Sequence, residues 1–148
     1  PLWTSQEKRQ GRYAVLAKSF SDTIAQWNRR QVLAMEAVVK EAAQELTEDV
    51  VSPRAKGGNM PVDTGFLRNS IAAAVNSIPS GESSDVFDMQ PVILAINKVK
   101  AGDRLVIGFT ANYARYMEAK YFFVRHSAQN WPKFVTNATR KVARALKT

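Results

Sequence analysis

Apolar residues recur every three or four positions at Ile24, Trp27, Val32, Met35, Val38, Val39, Ala42, Leu46 and Val50. That spacing lines one face of a helix. Ala, Glu, Gln and Lys fill the positions between, and all four favour helix. Ser21 or Asp22 offers a side-chain oxygen to the free amides of a helix start. Lys40 follows Glu36 by one turn and adds a little support. Ser52-Pro53 stops the helix, because proline disfavours helical backbone in the residue before it. The pattern thus predicts a helix over residues 21–51, long enough to brace a sheet or to lie along a neighbouring subunit. Residues 1–18 are polar and basic, and Gly11 is expected to interrupt any helix there. They read as a flexible arm ahead of a single domain over residues 19–148.

Beyond the helix the pattern changes. Arg54-Ala55-Lys56-Gly57-Gly58-Asn59 predicts a flexible loop. From Leu67 to Ser77 the alternation of Ile71, Ala73 and Val75 with Ser and Asn suggests a strand, while the alanine run leaves a helix open. Residues 78–85 are rich in Ser, Gly and Pro and predict a mobile loop. Pro91 to Lys98 reads as a short helix capped by Asp88, with a strand as the alternative. Ala101-Gly102-Asp103 turns the chain. Arg104 to Thr110 is β-branched and aromatic and predicts a strand. Asn112 is expected to cap a short helix through Tyr113, Tyr116 and Met117. Gln129 to Leu146 reads as a final helix with Pro132 near its start, one face Trp131, Phe134, Val135, Ala138, Val142 and Ala145, the other Lys133, Arg140, Lys141, Arg144 and Lys147. The order predicts an α+β fold, a small antiparallel sheet packed by a long N-terminal helix and a C-terminal helix.

The 148 residues suit one domain, and 45% are apolar, enough for a core. There is no long apolar run that would span a membrane and no secretory leader pattern at Pro1-Leu2-Trp3-Thr4-Ser5. The absence of cysteine removes disulfides, thiol nucleophiles and thiolate metal sites, and suits synthesis in a reducing cytoplasm. The net charge of +8 is uneven: residues 1–100 hold 12 Lys/Arg against 11 Asp/Glu, and residues 101–148 hold 9 against 2. Such a split points either to an acidic partner or nucleic acid, or to a solvated basic helix face.

Candidate chemistry is sparse. Asp63-Thr64-Gly65 reads as a capped turn in which glycine supplies positive φ. As an aspartic-protease fragment it would need a second carboxylate sharing the site, and its surroundings do not match. His126 is the one histidine, set beside Arg125, without the companions a triad or a metal cluster needs. Glu45, Glu48 and Asp49 cluster at the end of the long helix, against its dipole, and read as a surface cluster paired with a basic neighbour. Gly57-Gly58 lacks the Lys and Ser/Thr of a phosphate loop. Trp131 and Phe134 fall on the apolar side of the last helix, so its lysines and arginines offer phosphate contacts without a base-reading motif. Tyr113, Tyr116, Tyr121, Phe122 and Phe123 around Arg115, Lys120 and Arg125 suit either an interface or a core. Neither an enzyme nor a cofactor is expected, because no nucleophile stands beside a base.

Two segments carry a resemblance. Pro61-Val62-Asp63-Thr64-Gly65-Phe66-Leu67-Arg68-Asn69-Ser70-Ile71 is followed by Ile107-Gly108-Phe109-Thr110-Ala111-Asn112-Tyr113-Ala114-Arg115-Tyr116-Met117-Glu118. After a long helix and in this order, they resemble the tail-completion (neck, head-to-tail joining) proteins of long-tailed bacteriophages, over residues 20–146. The chain departs from that pattern at Ala119 to Arg125, where the family has a Gly-Thr and an Arg-Pro-Phe-type segment. The resemblance implies a structural virion protein with no reaction of its own. Copies, commonly six, would form a ring between the head connector and the tail tube, with a channel for DNA. Its partners would be the connector or adaptor, the tail terminator or tube, and the genomic DNA passing nearby. By analogy the interface residues would be Asp63, Thr64, Gly65, Arg68, Tyr113, Arg115, Tyr116 and Glu118. Two other readings stay open, a tail terminator capping the tube and a basic nucleic-acid-binding module.

Overall fold

The computed structural model describes residues 4–63, 65–81 and 85–147, without the side chains of residues 11–18. Thr64, part of the loop at 78–85, and the first three residues therefore lie outside the described residues. Two compact units divide the chain, Pro1–Met35 and Glu36–Thr148.

Helix α1 spans Ser5–Val50. It starts sixteen residues earlier than the apolar pattern predicts, since it begins at Ser5 rather than at residue 21. The start is a capping box: Glu7 N–H donates to Thr4 Oγ1 at 3.2 Å, and Thr4 N–H donates to Glu7 Oε2 at 2.7 Å. Those bonds hold the Glu7 carboxyl below its ordinary value. Ser21 and Asp22 are interior residues of α1 and cap nothing. Gly11 does not interrupt it either; one glycine costs a helix only about 1 kcal/mol against alanine, which good helix formers on both sides offset. At the other end α1 stops at Val50, just before Ser52-Pro53, as predicted.

In the unit from Glu36 onward, α1 faces two sets of partners. Ala42, Val38 and Leu46 pack with Phe134, Ala138, Trp131 and Val135 of α6, Trp131–Lys147. Ala43, Val50 and Val51 enter the main core with Met60, Leu67, Ile71, Val92, Ile96 and Phe123. The sheet has two antiparallel strands, β1 Ile71–Val75 and β2 Leu105–Phe109, paired from Ile71↔Phe109 to Val75↔Leu105. Ile71, Ala73, Leu105, Ile107 and Phe109 turn towards the core, following the two-residue period of a strand. The fold is therefore α+β, as the pattern predicts, with α6 packed on α1 and the sheet on the main core.

Between these elements lie α2 Phe66–Asn69, α3 Gln90–Asn97, α4 Ala114–Tyr121 and α5 Phe123–Gln129. The expected helix is present as α3, but its cap position is Met89, with no side-chain cap hydrogen bond; Asp88, one residue earlier, accepts the Gln90 N–H at 2.9 Å. Asn112 does not cap α4: the cap position is Tyr113, with no side-chain hydrogen bond. The expected last helix is α6, which begins at Trp131, two residues later than the pattern predicts, while α5 before it is a separate helix that the pattern did not predict. At the far end of the sheet Asn76 takes φ 60° and accepts the Arg104 N–H at 2.9 Å. Its amide donates to Asp103 at 3.0 Å, and this bond with the Lys100 N–H holds the Asp103 carboxyl below its ordinary 3.8.

The segment at 54–60, expected to be flexible, is knitted in place. Arg54 N–H donates to Met60 O at 3.0 Å, Gly58 N–H to Pro53 O at 2.9 Å and Met60 N–H to Ser52 O at 3.1 Å. Met60 is wholly buried. Gly58 passes so close to Ser52 that an added Cβ would stand 2.0 Å from its carbonyl oxygen.

Candidate functional site

The two segments that carry the resemblance meet across one open groove of about 830 Å³. Pro61, Val62, Asp63 and Gly65 form one side, and Tyr113, Met117 and Tyr121 form the other. Gly65 takes φ 85° and opens α2, so the expected positive-φ turn is present. The cap residue of α2 is Gly65, which has no side chain to offer, and Thr64 before it lies outside the described residues. The groove also draws in Arg54 and Tyr121, which the two motifs omit. Phe66 stacks on Tyr113 with ring centres 5.9 Å apart, and the Arg54 guanidinium lies 4.8 Å from the Tyr121 ring. The aromatic and basic character of those positions was the available hint; their convergence required the fold.

The residues named by analogy divide into two roles. Asp63, Arg115 and Tyr116 are exposed, Tyr116 at 72%, and Tyr113 stands at the groove edge. Arg68 instead works inside the molecule. Its Nε–H donates to Val51 O at 2.9 Å, and its guanidinium sits 3.8 Å from the Phe87 ring centre. It ties the end of α1 to α2 and to the segment before α3, and cation–π contact of this kind adds to the hydrogen bond. Glu118 also works inside. Its two carboxylate oxygens accept Val124 N–H at 2.8 Å and Arg125 N–H at 3.1 Å. These are free amides at the start of α5, where a carboxylate also complements the helix dipole. The sharp α4–α5 junction needs this help, because Phe122 between them takes a left-handed φ of 54°.

The aromatic run at 121–123 likewise splits. Phe123 is buried and meets Phe109 edge-on at 5.3 Å, while Phe122 is exposed with Arg125 4.8 Å from its ring centre. The acidic cluster at the end of α1 finds polar partners rather than basic ones. Ser127 donates to Asp49 at 2.6 Å and Asn137 donates to Glu45 at 3.0 Å. His126 is exposed on α5. Among the described residues no three His, Asp or Glu side chains converge as a metal would require.

A long amphipathic helix, a two-stranded sheet and an open groove between two short signature segments define a small α+β structural module. The chain belongs to the family described as "Bacteriophage HK97-gp10, putative tail-component", whose model matches residues 16–119. It is a tail-related structural component of a phage virion, with assembly partners in the head–tail region. The match ends before α5 and α6, short of the span to residue 146 that the resemblance suggested. No curated protein and no solved structure matches the chain. No helix among the described residues is long and apolar enough to cross a membrane.

Proposed function

We propose that this protein is a neck subunit, forming a ring that joins the DNA-filled head connector to the tail tube and leaves a channel for DNA. The observation that carries this reading is the apolar stripe of α1 in the unit Pro1–Met35. Phe20, Ile24, Trp27 and Met35 share one helix face and are 69%, 51%, 60% and 68% exposed. A contiguous apolar surface of this kind marks a protein–protein contact, since water contact at four large side chains is costly to leave unrelieved. Rings are built from heterologous contacts, one patch against a different patch of the next copy. The stripe and the groove are two such patches on one chain. In this reading Asp63, Thr64, Gly65, Tyr113, Arg115 and Tyr116 form the docking surface, and Arg68 and Glu118 hold it from behind. Six copies is the ring size that the resemblance implies, and residues 1–18 act as an arm on the domain.

Electron microscopy of lysates from a virus lacking this gene tests the reading. Filled heads beside unattached tails of normal length are expected. Tails of uncontrolled length would assign the protein to tail termination instead, and intact joined virions would overturn both.

A further inference from the structure

Four of the nine lysines and arginines of residues 101–148 fall on a single line. In α6, Lys133, Arg140, Arg144 and Lys147 all fall within about 60° of one another around the axis, given the 100° step of a helix. Lys141 flanks them. All five are exposed, and the residues of the opposite side, Phe134 and Ala138, are buried against α1. The helix has no acidic residue. Among the described residues Lys141 pairs with Glu41 at 3.6 Å, and Lys133, Arg140 and Arg144 have no carboxylate within ion-pair distance. From Lys133 to Lys147 the stripe runs about 21 Å, the axial length of about six base pairs.

We infer that this stripe of α6 is a sequence-indifferent contact for the phosphate backbone of duplex DNA. The inference rests on the neck reading above, which brings DNA past the protein. Its own support is the composition of the stripe. Protein interfaces centre on apolar or aromatic anchors that become buried, and this line has none: Trp131, Phe134, Val135 and Ala138 pack on α1, and the exposed Leu146 lies off the line. A phosphate backbone asks only for cations at intervals along its length. Adenine reading needs a free amide, whereas the lysines and arginines that can read guanine serve phosphates equally well. The one amide near the stripe, Asn137, is committed to Glu45. The contact therefore holds DNA without choosing its sequence, as a channel through which a whole genome slides requires.

The test is fluorescence anisotropy of the purified full chain with two 30-base-pair duplexes of unrelated sequence, from 50 to 200 mM salt. Equal binding to both is expected, weakening about 100-fold across that range if four phosphates are neutralised, a log–log slope near −3.6. The variant K133Q/R140Q/R144Q/K147Q should lose most of the affinity and most of the slope, and R144Q alone about one unit of slope. Circular dichroism should show unchanged helix content, because glutamine is a comparable helix former. A control, R29Q/R30Q, lowers the charge on α1 instead and should change binding little. No binding, a slope unchanged in the fourfold variant, or an equal loss in the control would overturn the inference. So would a fourfold variant with normal DNA binding and failed head–tail joining, which would assign the stripe to an acidic protein surface. DNA binding by the isolated chain is read without any virion, so it can fail while the neck reading stands, and the converse.

Discussion

Residues 36–50 of α1 and residues 19–35 follow the same three-and-four spacing and end differently. In the first stretch Ala42, Ala43 and Val50 are at most 5% exposed, covered by α6 and the main core. In the second, Phe20 and Trp27 are more than half exposed, although they are larger and more apolar. The lesson is that periodicity assigns residues to a face, and coverage of that face is a separate fact. Burial follows where the chain supplies a partner, and exposed apolar area marks where another molecule must supply it.

The contrast can be tested most severely by truncating the cover. Phe134→Ala removes the ring that seals Ala42 and should cost about 3–5 kcal/mol, read from urea midpoints at constant slope. A cost below that of a surface substitution would mean that α6 does not cover α1. Gly58→Ala comes next, because its methyl group would meet the Ser52 carbonyl. A loss of about 1–3 kcal/mol is expected from the forced movement, and the same denaturation curves would report it. Glu118→Ala strips both acceptors from the start of α5 and should cost about 1 kcal/mol. Glu118→Gln should recover part of it, whereas full recovery by an apolar isostere would deny the capping role.

On the uncovered side the expectation inverts. Trp27→Ala should leave the stability of the free chain within about 0.5 kcal/mol and abolish rescue of a gene-deleted virus by the variant. A large stability loss would show that the stripe is already covered within the chain. The smallest effect concerns Asp103. Its carboxyl sits below its ordinary 3.8, so its contribution is present above that pH and is lost as pH falls through the folded value. The difference in urea midpoint between the parent and Asp103→Ala should therefore be seen at pH 7 and shrink towards zero in strong acid.

Much of the fold was legible. The α1 stop at Pro53, the strand at 105–109, the short helix with Pro91 in its first turn and the apolar face of α6 all follow from local chemistry, where neighbours in sequence decide the outcome. The start of α1 was legible too, in Thr4-x-x-Glu7 and in Phe20 one turn before Ile24, but Gly11 weighed too heavily against it. The division of the candidate site into an exposed surface and internal ties was not legible. Arg68 and Arg115 look alike in sequence, and only the position of Phe87 and the Val51 carbonyl puts Arg68 to internal use. Glu118 reads as a helix residue until the left-handed turn at Phe122 brings two free amides back to it.

By itself, then, the sequence determined the period of each element, the one-sided charge of the last helix and the two signature segments, because these depend on residues a few positions apart. The tertiary structure decided which apolar faces found a partner, how Pro61–Gly65 and Tyr113–Tyr121 came to share a groove, and which charges became ties. Those outcomes depend on contacts between residues far apart in the chain, whose geometry is set by packing and by the backbone turns that bring them together.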